Sequence, residues 1–249
     1  MLETHQVTVR FGGVVAVNGV SLTAAANDVL GLVGPNGSGK STLLNAITGV
    51  VPASGTVTLD GHELPMGSPQ RIRRRGVMRA FQSPQLFIEL DVFDNVLLAD
   101  GERSGKSIVA ATLRRRALMR CERARWDRAI AALEFVGLAD RLHDSPKSLS
   151  YGARRLVELA RVIAAGPKVI LLDEPAAGLN GAETNHLATI LGRLRERDVT
   201  MLVVEHKIDF VDRLCDRIVV LNQGVKVAEG TPHEVWRDQH VIDAYLGSA

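Results

Sequence analysis

Two short stretches carry residues whose types and order suit them to phosphate chemistry: GPNGSGKST at positions 34–42 and LLDEP at 171–175. The first fits the pattern G-x-x-x-x-G-K-[ST]. In such a loop the glycines let backbone N–H groups turn inward around phosphate oxygens, and a following helix start adds positive potential. Lys40 supplies a charge able to reach the outer phosphates of a nucleotide, and Ser41 a hydroxyl able to hold magnesium. The second stretch sets Asp173 beside Glu174 directly after an apolar run. Taken alone it reads equally as a strand running out into a polar turn that Pro175 stops. A nucleotide at Lys40 gives the two acids an object: Asp173 in the magnesium shell and Glu174 as general base on the water beyond the last phosphate. Magnesium keeps several waters and uses few protein ligands, so one hydroxyl and one carboxylate suffice. A positioned base contributes roughly 10²–10⁴ in rate. An internal control supports the reading: SGKS recurs at 104–107, but Asp100 stands where the first glycine is needed and no buried strand precedes it, so that copy is expected to be an exposed loop.

Chemistry of this kind needs a rigid frame, and the hydrophobic pattern supplies one. DVLGLV (28–33) is a nearly continuous apolar run suited to a buried strand, and it feeds the glycine-rich loop and the helical stretch STLLNAITG. The first sixty residues alternate as half-buried strands do, with Val7, Val9 and Phe11 on one side, then VVAV, then TVTLDGHEL with a hairpin step at Asp60-Gly61. From about Pro84 to Ala165 the spacing is helical. Trp126, Ala129, Ile130, Leu133 and Val136 share one face, Leu156, Leu159, Ala160 and Ile163 another, and Gly166-Pro167 ends the second helix. KVILL, TMLVV and RIVVL then return as strands separated by helical spacing, which argues for a parallel core sheet. Thr231, Pro232 and Glu234 form a capping box that starts a last helical segment. LSYG sets Ser150 and Gly152 at the start of an amphipathic helix, where Ser150 serves either as a plain N-cap or as part of a second anion-binding end.

Composition fits a soluble globular protein, with 46% hydrophobic and 23% charged residues. No stretch supplies the roughly 18 consecutive apolar residues that a membrane span requires. The start lacks an export-type segment and Cys121 and Cys215 are too few for a disulfide framework, so a reducing cytoplasm is expected. With 30 basic against 28 acidic residues the net charge is only +2, far from the excess of a nucleic-acid binder, and no nucleic-acid partner is expected. The clusters RIRRR (71–75) and RRR (114–116) read first as solvated faces.

These stretches, in this order, resemble the ATP-binding subunits of ABC transporters over nearly the whole chain. Besides the two motifs above, the resemblance rests on Gln82 in AFQSPQLF, LSYGARR (149–155), AAGLN (176–180) and His206 in VVEHK. It implies an α/β fold: a P-loop NTPase, RecA-like core with a mainly parallel sheet, an N-terminal antiparallel β subdomain, and an inserted α-helical subdomain. One ABC domain would span 1–249, with 1–83 and 166–249 as core and 84–165 inserted. The activity implied is magnesium-dependent hydrolysis of ATP. Phe11 would stack on adenine, while Gly34, Asn36, Gly37, Ser38, Gly39, Lys40, Ser41 and Thr42 would hold the phosphates. Ser41, Gln82 and Asp173 would serve Mg2+, and Glu174, Gln82 and His206 the reaction.

Ser150 and Gly152 would serve the nucleotide of a second ATP-binding subunit, identical or related. The helical lobe would pass movement to transmembrane permease subunits, which hold the chain on the inner face of the plasma membrane and connect it indirectly to a solute-binding protein. RFGGVVAVNGVSL, QLFIELDVFDNVLLA, LNQG, EGTP and VIDAYLG look like the branched-chain amino-acid importer branch. Importers of urea, short amides or other amino acids remain open, as does an ATPase of a soluble assembly such as iron-sulfur cluster biogenesis, while the intact Glu174 and His206 disfavour a non-hydrolysing sensor. Tyr151 replaces a usual glycine, Ala153 a usual glutamine and Asn180 a usual aspartate, and the last removes a charge from the loop that follows the acids.

Overall fold

The structure is a computed structural model that describes residues 1–80, 84–99 and 115–246, without the side chains of 115–119 and 244–246. The chain divides into two compact units, one of residues 1–82 with 167–249 and one of residues 83–166.

In the first unit the long apolar runs become fully covered strands. Every residue of β3 (Val29–Val33), β7 (Val169–Asp173) and β8 (Thr200–Val204) is buried, as expected of strands with helices on both faces. With β6 (Val77–Ala80), β9 (Arg217–Asn222) and β10 (Val225–Gly230) they form a six-stranded sheet in the order β10-β9-β3-β8-β7-β6. All pairings are parallel except that of β10 with β9. That edge hairpin turns on Gln223 and Gly224, both at positive φ, 47° and 81°.

A second, antiparallel sheet has the order β2-β1-β4-β5, from β1 (Leu2–Phe11), β2 (Val14–Ala24), β4 (Ser54–Leu59) and β5 (His62–Glu63). Asp60 and Gly61 join β4 to β5 at φ 52° and 74°, the two positive values that a two-residue hairpin turn of this hand requires. The register of β1 shifts around Gln6, also at positive φ. Val7 and Val9 point into the core, but Phe11 at the end of the strand is half exposed, so it is not a core residue. Helix α1 (Lys40–Ile47) lies with both sheets in one apolar cluster, its Leu43, Leu44 and Ile47 joined to Leu2 and Val9 of β1, Val57 of β4, and Leu30, Leu171 and Leu202 of the parallel sheet. Further helices of this unit are α2 (Pro69–Arg74), which turns RIRRR into an exposed basic helix end, α6 (Gly181–Arg195), α7 (Ile208–Leu214), α8 (Pro232–Val235) and α9 (Gln239–Leu246). The box at Thr231 and Glu234 caps α8 reciprocally.

The second unit packs α3 (Val92–Leu97), α4 (Arg115–Phe135) and α5 (Tyr151–Ala164) together. Asp91 caps α3 by accepting from Asp94 N at 2.7 Å, and Gly166 at φ 66° follows the end of α5. The expected stripe on α5 is too narrow. Leu159 and Ala160 are buried, Leu156 and Ile163 only half so, while Val157, Glu158 and Val162 are buried as well, because α3 and α5 meet in addition to α4 and α5. Trp126 is half exposed, with its ring edge-on to Phe93 at 5.0 Å.

Candidate active site

Parallel pairing brings the C-terminal ends of β3, β8 and β7 side by side, and the loop after each carries polar side chains. After β3 the chain enters the glycine loop. At Gly34 (φ 144°) a Cβ would stand 2.0 Å from Leu221 O, and at Gly39 (φ 103°) one would stand 2.5 Å from Ala16 O, so no other residue fits either place. Gly37 (φ 79°) faces open space, and Asn36 beside it is exposed. Ser38 is buried, and its carbonyl accepts from Gly224 N at 3.0 Å, tying the loop to the β9–β10 turn. The close approach of Ala16 to Gly39 brings β2 against the loop, and Phe11 pairs with Val14, two residues before Ala16. The exposed ring of Phe11 therefore belongs to the hairpin that abuts the loop.

Helix α1 starts at the end of this loop with no side chain capping Gly39 and no acid in its first turn. Its first backbone donors and the positive end of its dipole are left for an external anion. Lys40 is nearly buried, and its Nζ donates to Gly34 O and Pro35 O at 2.8 Å each and to Ser38 Oγ at 3.4 Å. Burial holds its pKa below the usual lysine range, opposed by the negative charges of Glu174 and Asp173. Ser41 is exposed at the mouth, Thr42 half-buried behind it.

At the end of β7, Asp173 is buried and its Oδ1 accepts from Ser41 Oγ at 3.4 Å. Two adjacent ligands at about 2.1 Å in an octahedral magnesium shell stand ~3 Å apart, so this pair matches two such positions with little adjustment. No group of three or more His, Cys, Asp or Glu among the described residues could hold a metal. The hydroxyl and the carboxylate that meet here are hard oxygen donors of the kind magnesium takes. Arg79, on β6 opposite Leu171, donates to Asp173 Oδ2 and to Asn45 Oδ1 of α1, so one guanidinium orients the acid against the helix after the glycine loop.

Glu174 follows with φ 49°, a left-handed conformation that is costly for a residue with a Cβ, and its N–H donates to Val204 O at 2.9 Å. Its Oε1 lies 4.0 Å from His206 Nδ1, and the imidazole is more than half exposed. The sequence therefore points to a group that the fold assembles in its first unit: Lys40, Ser41, Asp173, Glu174 and His206. Ser150 and Gly152 belong to the second unit. Ser150 Oγ there accepts from Ala153 N at 3.2 Å as the N-cap of α5, Gly152 is buried, and the Arg155 guanidinium lies 5.5 Å from the Tyr151 ring centroid. Asn180 caps α6 in a reciprocal box with Glu183. Gln82 and the second SGKS at 104–107 lie outside the described residues. Sequence reasoning missed Arg79 and Glu205: a lone arginine in a short strand and an acid after TMLVV carry no spacing signal, and their partners lie far along the chain.

A family profile described as "ABC transporter" matches residues 17–177, and one described as "Branched-chain amino acid ATP-binding cassette transporter" matches residues 225–249. The chain is 40% identical to the high-affinity branched-chain amino acid transport ATP-binding protein BraF of Pseudomonas aeruginosa, over 100% of this chain and 98% of that protein. It is 38% identical to LivG of Escherichia coli, a protein of the same description, with the same coverage. Among solved structures, a nucleotide-free ATP-binding cassette from an ABC transporter superposes with a TM-score of 0.85 at 31% identity, covering 98% of each chain. A cassette in its ADP conformation gives 0.85 at 30% identity, covering 99% of this chain and 98% of the other. The chain belongs to the ABC transporter family, among its ATP-binding cassettes.

Proposed function

We propose that this chain binds ATP with magnesium, hydrolyses it to ADP and phosphate, and thereby energises an importer of branched-chain amino acids. The observation that carries the reading is the meeting, at adjoining strand ends, of an uncapped helix start with Lys40 beside it, the Ser41–Asp173 oxygen pair, and Glu174 facing His206. The N–H groups of 34–42 and Lys40 bind the phosphates, and Phe11 stacks on the base. Stacking is worth only ~1–3 kcal/mol per base, so the phosphate contacts dominate affinity. Ser41 and Asp173 would hold magnesium, with Gln82 as the further ligand the family resemblance implies, and the metal when bound would neutralise phosphate charge. Glu174 takes a proton from the attacking water, and His206, whose Nδ1 lies 4.0 Å from that carboxylate, serves the terminal phosphate. The solute class follows the full-length similarity to BraF and LivG and the match at residues 225–249.

A second copy or a related cassette supplies Ser150 and Gly152 to complete each nucleotide site, and permease subunits take up the motion. No helix among the described residues is long and apolar enough to cross a membrane. Phe87 and Ile88, about half exposed, offer an apolar contact of the kind a partner covers. Asn95 fixes that turn by accepting from Phe87 N at 2.8 Å and donating to Phe87 O at 2.9 Å. The test is purification of the tagged chain from its native membranes in mild detergent, with companions identified and ATP hydrolysis assayed with and without magnesium. Permeases, a receptor for branched-chain amino acids and magnesium-dependent hydrolysis are expected. Soluble scaffold proteins as the companions, or a magnesium-independent activity, would overturn the reading.

A further inference from the structure

Glu205 immediately precedes His206 and is fully buried, an acid directly after the apolar MLVV run of β8. Its two oxygens are divided between two turns. Oε1 accepts the N–H of Ala176 at 2.8 Å, in the turn that leaves Glu174. Oε2 accepts the N–H of His206 at 2.9 Å and that of Lys207 at 3.3 Å. Lys207 Nζ returns a bond to Ala176 O at 2.7 Å, so the same two turns are held twice. Three backbone donors converging on one buried group require an acceptor at every contact, and an ionised carboxylate is the side chain that only accepts. Charge-assisted bonds of this kind are about twice as strong as neutral ones and stiffen what they join.

We propose that Glu205 is a positioning residue that locks the turn after Glu174 to the turn carrying His206, so that base and imidazole keep one mutual geometry. The inference rests on the reading that Glu174 and His206 serve ATP hydrolysis. Pro175 and the Ala177 N to Glu174 O bond of 3.1 Å leave the Glu174 turn little freedom of its own. An anchor at Ala176 therefore fixes Glu174 two residues back. The left-handed backbone at Glu174 needs such support from its surroundings.

Glutamine at this place is not a mild change. Its amide has one acceptor oxygen and one donor NH2 group, so in either orientation it faces at least one backbone N–H with another N–H. It keeps the tie to Ala176 or the ties to His206 and Lys207, never both. The experiment compares wild type with Glu205→Gln, each as the full chain in the assembly with which it purifies. Steady-state ATP hydrolysis is read together with amide hydrogen exchange in peptides covering 174–178 and 34–42. We expect kcat to fall on the order of 10- to 100-fold, as displaced catalytic groups do, with KM for ATP within about 3-fold. Exchange should quicken in 174–178 and stay unchanged in 34–42. A wild-type kcat overturns the inference, as does a loss of exchange protection that extends equally to 34–42, which would mark general destabilisation. Should the glutamine chain not fold, Glu205→Asp keeps two acceptors one methylene shorter: the same kcat-selective loss supports positioning, and a wild-type kcat overturns it. A wild-type chain that binds but never hydrolyses ATP refutes the proposed function itself, a result separate from any behaviour of the variants.

Discussion

Two helix starts in this chain invite comparison. Helix α1 begins after Gly39 with no capping side chain and no acid in its first turn, whereas α5 begins at Ser150, whose own hydroxyl accepts from Ala153 N. The first leaves its donors to something outside the chain, and the second satisfies one of them internally. Both lie in glycine-containing segments, but only GPNGSGKST fits the phosphate-loop pattern in sequence, while LSYG leaves open whether Ser150 is a plain cap. The difference teaches that an anion site is an unsatisfied end with a cation beside it, as Lys40 stands beside α1. A serine cap can still exchange its internal bond for an external phosphate at a cost of only ~1 kcal/mol, the usual value of a cap.

The most severe test of the contrast leaves both starts intact and removes the chemistry. Glu174→Gln is expected to lower turnover by roughly 10²–10⁴ while the ATP binding isotherm stays in place; radiolabelled ATP hydrolysis beside equilibrium binding measures both. Next in size, Lys40→Ala removes the cation beside the open start and should weaken ATP binding by about 10- to 100-fold, the worth of a charged hydrogen bond. An unchanged isotherm would mean that α1 is not the phosphate site.

Smaller effects sharpen the comparison at α5. Ser150→Ala should cost ~1 kcal/mol of stability in a thermal melt, whether or not the residue also serves a nucleotide. Ser150→Asp separates the two roles, since aspartate caps as well as serine but sets a negative charge where a partner's phosphate would come. Restored stability with lost ATPase activity is expected, and restored activity would leave Ser150 a cap alone. Smallest, Asn180→Ala should cost ~1 kcal/mol through the box on α6 with no change in ATP affinity.

How legible the molecule was in its sequence follows the range of the interactions involved. DVLGLV followed by the glycine loop declared β3 and α1, because a continuous apolar run, φ-permissive glycines and a helix start are local signals. The Asp60-Gly61 turn and the Thr231 capping box were local in the same way. Strand β10 was harder. Its residues are at best half-buried at a sheet edge, and Gln-Gly is a weaker turn signal than Asp-Gly. On α5 the sequence shows a single stripe, but two neighbouring helices bury more of its circumference. At the site, Lys40, Asp173, Glu174 and His206 carried motif-level signals. Arg79 and Glu205 did not, since what makes each of them matter is a partner on another strand or turn: Asp173 for the one, Ala176 for the other.

In the proposed mechanism, the acids after β7 face the phosphates held by the loop after β3. A crystal structure of the full chain carrying Glu174→Gln, soaked with magnesium and ATP, tests it most directly. Ser41 and Asp173 are expected on the metal, and residue 174 within one water of the terminal phosphate. A nucleotide bound elsewhere, or bound in the loop with residues 173 and 174 turned away from the terminal phosphate, would contradict it.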